Sequence, residues 1–253
     1  MEGAQSKALA AAASSSAPHE VIELSDTDED EPSALQKRQR VGGGGLLQHL
    51  DAAGGVLDDS VLARVAAIVQ QCNCVGVDGR GLAQAVAQTL PYGNSYADRR
   101  RMGANRFAVL EDRATPGTID VRPAPAGSGL PVVINLFAQW EMGPAGKYNR
   151  VQPAPPSDSV DAREAWFAEC LVAVGKLKLP SLAFPHEIGC GLAGGHWPAY
   201  HAMLKDFASA HPETEVFICR WGGGHGSGGR GRGGGGKGGG AGGRGGAGAP
   251  RAR

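Results

Sequence analysis

A glycine-rich segment in the last third of the chain carries the residues best suited to chemistry. Residues 184–197, FPHEIGCGLAGGHW, place Gly189, Gly191 and Gly194 in a Gly-x-Gly-x-x-Gly pattern between an apolar run and an amphipathic segment. Glycines let the backbone approach a ligand closely, and free N–H groups before a helix attract an anion. The pattern therefore predicts either a loop that binds phosphate groups or a tight connection in which the glycines serve only the turn.

Two well-known phosphate sites are disfavoured by what surrounds these glycines. A Walker loop needs Lys-Ser or Lys-Thr after the glycines, whereas His196 and Trp197 stand there. A dinucleotide-binding fold would use Glu213 or Glu215, about twenty residues further on, to hold a ribose. That fingerprint belongs to the first strand and helix of its fold, and here one predicted strand follows, at 215–221. A nicotinamide-dependent oxidoreductase is therefore disfavoured.

The central part of the chain alternates short apolar runs with amphipathic segments, which is typical of an α/β fold. Strands are predicted at residues 65–71, 106–110, 118–121, 131–139, 181–185 and 215–221, the first being ambiguous with helix. Helices are predicted at 81–90, from Asp161, where Glu164 completes a capping-box pattern, and from Pro198 to about His211. The glycine pattern thus lies between a strand and a helix.

Composition predicts one folded domain with two tails. The 41 glycines are concentrated at the ends of the 253-residue chain, where few apolar side chains could offset the entropy of ordering. We expect a disordered arm at 1–55, a folded domain at 56–221 and a disordered Gly/Arg-rich tail at 222–253. The five cysteines are scattered and odd in number, which favours free thiols in a reducing compartment. No apolar run reaches the length of a membrane span, so a soluble protein is expected. We also expect no metal site and no cofactor.

Three segments of the predicted domain resemble a known family. They are AIVQQCNCVGVDGRGLAQAV at 67–86, VINLFAQ at 133–139 and LAFPHEIGCGLAGGHW at 182–197. They resemble the macrodomains, which bind ADP-ribose, and more narrowly the branch of ADP-ribose-1″-phosphate phosphatases and mono-ADP-ribose hydrolases. The resemblance covers residues 56–221 and implies a three-layer fold, a mixed sheet with helices on both faces.

The resemblance also implies a set of site residues. Asp59 and Asn73 are fourteen residues apart, as are the family's adenine-binding Asp and its Asn at the distal ribose, although Asp58 stands where the family usually has Gly. Gly76, Gly79 and Gly81 would form a first loop around the diphosphate, and residues 188–195 a second. The implied ligand-binding residues are Asp59, Asn73, Gly79, Gly81, Ile188, Gly189, Cys190, Gly191, Leu192, Ala193 and Gly194.

The same resemblance leaves catalysis open. Phosphatase relatives have Asp where this chain has His196, and ester-cleaving relatives have an Asp and a Lys where Ala193 and Glu111 stand. An imidazole at His196 could act as general acid or base, or could simply face solvent at a helix start. Asn73 could orient an attacking water. Cys190 at a helix N-terminus would have a lowered pKa and could be nucleophilic, or could only pack.

Two further groups of side chains are candidates for ligand contact. Arg99, Arg100, Arg101 and Arg106 could reach a terminal phosphate or form a solvated surface. Trp140, just past a predicted strand, could stack on a base or ribose. The resulting hypotheses are a hydrolase acting on an ADP-ribose derivative, either ADP-ribose 1″-phosphate or an ADP-ribosyl ester on protein, and a noncatalytic reader of ADP-ribosylation.

The predicted tails suggest partners of their own. Val21, Ile22 and Leu24 precede an acidic run and resemble a SUMO-interacting motif, the alternative being a solubilising acidic arm. The arginine-glycine runs at 229–233 and 242–246 could contact RNA weakly, because no aromatic residue is interspersed for stacking. With KRQR at 37–40 as a minimal nuclear-entry signal, we expect a nuclear or cytoplasmic protein.

Overall fold

The computed structural model describes residues 47–148 and 150–221. Its strands are β1 (Leu47–Ala52), β2 (Ala67–Asn73), β3 (Ile119–Arg122), β4 (Val132–Gln139), β5 (Ser181–Pro185) and β6 (Glu215–Trp221). Its α-helices are α1 (Asp59–Leu62), α2 (Leu82–Thr89), α3 (Val160–Lys176) and α4 (Trp197–Ala210), with 3₁₀ turns at Gly55–Leu57, Pro91–Gly93 and Leu110–Asp112. Five of the six predicted strands and all three predicted helices are present.

In the part of the chain that the structure describes, the strands form one mixed six-stranded sheet in the order β1-β6-β5-β2-β4-β3. The edge strand β3 pairs antiparallel with β4, and the four other pairs are parallel. The predicted α/β class is thereby confirmed. Because β5, β2 and β4 are parallel neighbours, the segments that follow them emerge at one edge of the sheet, where ligands bind in open α/β sheets.

Helices cover both faces of this sheet. Successive strand residues point to opposite faces: Val69 and Ile134 pack under α3 and α4, whereas Ile68 and Val133 pack under α1 and α2. The cluster on the α3 and α4 face contains Phe167, Tyr200, Leu204 and Phe207. Burial of such side chains is the main stabilising term, about 1.5–3 kcal/mol for each large apolar group. The three-layer arrangement matches the predicted fold class.

The folded part begins earlier than predicted. Strand β1 lies in the stretch 47–55 that composition assigned to the disordered arm. It pairs with β6, Leu47 opposite Val216 and Leu50 opposite Cys219, and its leucines pack on the two core clusters. The strand has few apolar residues and is flanked by glycines, so composition does not distinguish it from the arm. Its pairing with β6 joins segments that are far apart in sequence.

Two local predictions are wrong. Residues 106–110 form no strand; Phe107 and Ala108 make isolated bridges to Gly76 and Arg101 instead. The helix α3 is capped by Ser159, whose Oγ accepts a hydrogen bond from the N–H of Ala162 at 3.1 Å, so Asp161 lies within the first turn rather than at the cap. The bridges to Gly76 and Arg101 replace the predicted strand, and the cap by Ser159 replaces the predicted cap by Asp161.

Several predictions concern residues outside the described ranges. The SUMO-like residues Val21, Ile22 and Leu24, the 37–40 signal and the Gly/Arg-rich tail all lie there. Within the described ranges, no helix combines the length and the apolar character needed to cross a membrane. All five cysteines are free thiols, and four of them are buried.

Candidate functional site

A cavity of about 440 Å³ opens at the carboxyl edge of β5, β2 and β4. Three segments enclose it: glycine loop 1 (residues 74–81, after β2), glycine loop 2 (residues 186–196, after β5) and the β4–α3 segment (residues 140–159). Its floor includes Gln71 and Gln139, whose side-chain amides hydrogen-bond at 2.9 Å. Both glycine-rich segments that the sequence singled out therefore meet at one site.

Asn73, the last residue of β2, lines this cavity with its amide held on both sides. Its Nδ2 donates to the hydroxyl of Tyr96 at 3.1 Å, and its backbone N–H donates to the same oxygen at 3.0 Å. Its Oδ1 accepts the N–H of Gly76 at 2.5 Å. The amide is therefore fixed in orientation, as a residue that contacts a ligand or a water should be.

Arg99 braces glycine loop 1 from behind. Its Nη1 donates to the carbonyl oxygens of Asn73, Cys74 and Gly76 at 3.2, 3.1 and 2.8 Å. Its guanidinium also lies 4.7 Å from the ring centroid of Tyr96. These contacts satisfy backbone carbonyls that would otherwise need water, so Arg99 serves the loop rather than a terminal phosphate.

The other three arginines of that run separate into two groups. Arg100 pairs with Asp112 at 2.9 Å, and Arg101 pairs with Asp78 at 3.1 Å. Arg106 lines the cavity. The alternative of a paired, solvated surface therefore holds for Arg100 and Arg101, and the alternative of ligand contact remains for Arg106.

The glycines of loop 2 are required for different structural reasons. Gly189 and Gly194 both have φ of +71°, a left-handed conformation that favours glycine, and a Cβ at Gly189 would clash with Oε1 of Gln71. Gly191 lines the cavity, and a Cβ there would have no described atom within 4 Å. The turn interpretation therefore explains Gly189 and Gly194, whereas Gly191 leaves space beside the cavity.

The predicted ligand-binding residues divide by position. Those that line the cavity are Asn73, Ile188, Gly189, Gly191, Leu192 and Ala193. Gly79 lines a neighbouring cavity of about 360 Å³ instead, and Gly81 is the N-cap of α2 with φ of +58°. Gly194 and Cys190 are not among the described lining residues. Loop 2 thus contributes most of the predicted contacts.

Asp59 lies away from this cavity. It is an exposed residue at the start of α1, not at the end of a strand, and it is not among the described lining residues. Its neighbour Asp58 caps α1 by accepting the N–H of Ser60 at 3.1 Å. Asp59 has the expected spacing to Asn73 but lies at the start of a helix. The geometry therefore gives no support to its assignment as the adenine-binding residue.

His196 is exposed at the N-cap of α4 and makes no side-chain capping bond among the described residues. It is not one of the described residues that line the cavity. The interpretation of a solvent-facing residue at a helix start therefore accounts for its position, and the general acid–base interpretation does not.

Cys190 is partly buried and packs on the core. Burial, with smaller contributions from Glu187 and Glu164, raises the pKa of its thiol to about 11. Its Sγ donates to the carbonyl oxygen of Ile188 at 3.3 Å, and its side chain packs on the core. The predicted lowering of this pKa is wrong, because desolvation disfavours the thiolate and α4 begins only at Trp197.

Comparison with known proteins gives matches among solved structures. No family model matches the chain, and no curated protein matches it. The chain is similar to the macrodomain of Thermus aquaticus DarG, with 20% identity and a TM-score of 0.49 over 69% of this chain and 98% of that one. The macrodomain of Mycobacterium tuberculosis DarG has 23% identity and a TM-score of 0.47 over 69% and 97% of the two chains. A point mutant of the Oceanobacillus iheyensis macrodomain, solved with ADPR, has 18% identity and a TM-score of 0.40 over 68% and 83%.

The cavity also has lining residues that sequence reasoning missed. Tyr148 and Arg150, from the β4–α3 segment, line it together with Glu187, a non-glycine residue with φ of +60°. Trp140, the predicted stacking residue, is 7% exposed and is not among the described lining residues. The position of Tyr148 and Arg150 shortly after a strand that ends at the ligand edge was the one signal that could have suggested them.

Proposed function

We propose that this protein binds ADP-ribose, free or attached to a macromolecule, in the cavity between the two glycine loops. The observation that carries the proposal is the meeting of both loops at the carboxyl ends of the neighbouring strands β2 and β5, with Asn73 held at the same cavity. Backbone N–H groups of such loops suit a diphosphate. The Asn73 amide suits hydroxyls of the distal ribose, in agreement with the sequence resemblance.

The proposal is tested by calorimetric titration of ADP-ribose into the whole chain. We expect saturable binding at one site, with adenosine and ribose 5-phosphate each binding more weakly because each supplies part of the contacts. Asn73→Ala should weaken binding about tenfold or more, since it removes a fixed buried amide. A wild-type protein that shows no saturable heat with ADP-ribose would contradict the proposal.

A second function, hydrolysis of an ADP-ribose derivative, is favoured by one observation. Asn73 and Glu187 line the same cavity. Asn73 would orient a water, and Glu187 would accept its proton as the general base. With ADP-ribose 1″-phosphate, the water oxygen would attack phosphorus and the bond from phosphorus to the ribose oxygen would break. The ribose oxygen would take up a proton from solvent, Glu187 would later release the proton it accepted, and the products would be ADP-ribose and phosphate.

Phosphate release separates this second function from a noncatalytic reader. If the wild type releases phosphate, Glu187→Gln abolishes this release and His196→Ala retains it, the assignment of Glu187 as the general base is supported. Release that survives Glu187→Gln would remove Glu187 as the base. Binding of ADP-ribose without hydrolysis of either ADP-ribose 1″-phosphate or an ADP-ribosyl ester would favour a noncatalytic reader of ADP-ribosylation.

A further inference from the structure

The β4–α3 segment presents an arginine to the cavity from a buried anchor. Glu141 has a side chain that is 1% exposed, and its carboxylate accepts hydrogen bonds from the Nε of Arg150 and, at 3.1 Å, from the backbone N–H of Arg150. The Arg150 side chain is 43% exposed and lines the cavity. The ion pair therefore ties Arg150 to Glu141 near the end of β4 and sets the direction of the guanidinium.

A second arginine holds this segment against the body of the domain. Arg163, on α3, is 3% exposed and pairs with Asp158. Its Nη1 donates to the carbonyl oxygen of Gly143 at 2.7 Å, and its Nη2 donates to that of Glu141 at 3.1 Å. Glu141, which holds Arg150, is therefore itself held by α3. The guanidinium of Arg150 should lose little conformational freedom when it binds a ligand.

Aromatic rings confine the guanidinium further. Its central carbon lies 4.1 Å from the ring centroid of Tyr148, which also lines the cavity, and 5.3 Å from that of Phe107. A planar guanidinium stacked on aromatic faces presents its N–H donors in a defined plane. The bonds between the two side chains use Nε, and the guanidinium has further donors on Nη1 and Nη2 that suit phosphate oxygens.

The cavity lining contains more arginines than carboxylates. Arg80 and Arg106 line it together with Arg150. Of the lining carboxylates, Asp78 is paired with Arg101 at 3.1 Å, and Glu187 belongs to loop 2. The described lining therefore carries three arginines against two carboxylates, one of them already paired, and this balance favours an anionic ligand.

We propose that Arg150 binds a phosphate group of the ligand directly, with Glu141 as its positioning residue, and so makes the site discriminate a phosphorylated nucleotide from its nucleoside. This rests on the binding of ADP-ribose proposed above. It adds a charged side-chain contact from the β4–α3 segment to the contacts proposed for Asn73 and the two glycine loops.

The test is titration of ADP-ribose, ADP and adenosine into the full chain as wild type and Arg150→Gln. Loss of a charge-assisted, two-pronged contact should weaken ADP-ribose and ADP about tenfold or more and leave adenosine unchanged. Arg150→Lys should lie between the two proteins, and the dependence of affinity on salt should flatten in Arg150→Gln. The matched control is Arg100→Gln, an exposed arginine paired with Asp112 outside the cavity, which should bind like wild type.

Arg150→Gln also leaves the buried carboxylate of Glu141 without its partner, which costs stability. The double variant Glu141→Gln with Arg150→Gln removes both charges and keeps the fold testable by thermal unfolding. Wild-type affinity for ADP-ribose and ADP in a folded double variant would overturn the assignment of Arg150 while leaving the proposed function intact. A wild type that binds neither nucleotide would overturn the proposed function and this inference with it.

Discussion

The side-chain nitrogen of Asn73 donates to the hydroxyl of Tyr96 at 3.1 Å. The same hydroxyl accepts the backbone N–H of Asn73 at 3.0 Å, so one oxygen fixes both the end of β2 and the orientation of the amide. Tyr96 is buried, and burial raises the pKa of its hydroxyl well above its usual range. The hydroxyl therefore stays protonated and acts as a permanent neutral acceptor at the wall of the cavity.

Replacing Tyr96 with Phe should loosen the site as well as the fold. Two donors of Asn73 would lose their acceptor in a buried place, which costs about 1–3 kcal/mol of unfolding free energy. Urea unfolding and ADP-ribose titration measure the two effects. The matched control is Tyr92→Phe, which removes a 2.6 Å bond to the carbonyl oxygen of Pro131. The control should lose stability but keep affinity, and equal affinities in both variants would show that Tyr96 does not position Asn73.

Gly191→Val should abolish ligand binding without unfolding the protein. The new side chain meets no described atom within 4 Å of its Cβ, so it occupies free space at the cavity lining. Thermal unfolding close to that of wild type and absent heat with ADP-ribose are the expected results. Gly189→Ala is the contrasting variant, because its Cβ would clash with Gln71 and its φ of +71° is strained for alanine. Unchanged affinity in Gly191→Val would remove loop 2 from the site.

Glu187→Gln should strengthen the binding of ADP-ribose. Glu187 lines the cavity in which the diphosphate is proposed to bind, so removing its negative charge lowers the repulsion between the two groups. We expect a gain of a few-fold at low salt that shrinks as salt is added. Glu111→Gln is the matched control, an exposed glutamate 3.6 Å from Arg100 and not among the described lining residues. Weaker binding in Glu187→Gln would mean that the carboxylate contacts a ligand hydroxyl.

A histidine cluster beside α4 should make stability depend on pH. The ring centroid of Trp197 lies 4.9 Å from that of His186 and 5.2 Å from that of His201. Burial is the main cause that lowers the pKa of both histidines, and Arg220 and His49 add to it. The folded pKa values lie below the unfolded value of about 6.5, so the unfolded chain binds protons first as the pH falls.

Stability should therefore be full above about pH 7 and decline as the pH falls through about 6.5. Thermal unfolding from pH 8 to pH 5 measures the decline. Replacing both His186 and His201 with Gln should reduce its slope, whereas His196→Gln, an exposed histidine, should not. A slope that is the same in the double variant and in wild type would exclude these two histidines as its origin.

Cys190 should behave as an unreactive thiol. With its pKa raised to about 11, it is protonated near neutral pH and should be alkylated by iodoacetamide more slowly than free glutathione. Cys190→Ser should bind ADP-ribose, and release phosphate if the wild type does, at the wild-type level. Rapid alkylation at pH 7.5, located by mass spectrometry, would contradict this.

The sequence by itself determined most of the strands and helices and the two glycine loops, although it missed β1 and predicted a strand at 106–110 that does not form. The apolar runs at 131–139, 181–185 and 215–221 and the helical stripe containing Phe167 and Cys170 are local patterns, and each became the expected element. The glycines that follow strands and Asn73 at the end of β2 could also be recognised, because parallel strands bring their carboxyl ends to one edge of the sheet.

Only the tertiary structure decided which side chains reach the cavity. The pairing of β1 with β6, the bracing of loop 1 by Arg99 and the presentation of Arg150 by buried Glu141 join residues through contacts that no local pattern encodes. The same holds for His196, which the family resemblance suggested as a catalytic residue and which is exposed at the N-cap of α4. Local propensity sets what a segment becomes, whereas the site depends on competition among distant partners for the same buried hydrogen bonds and charges.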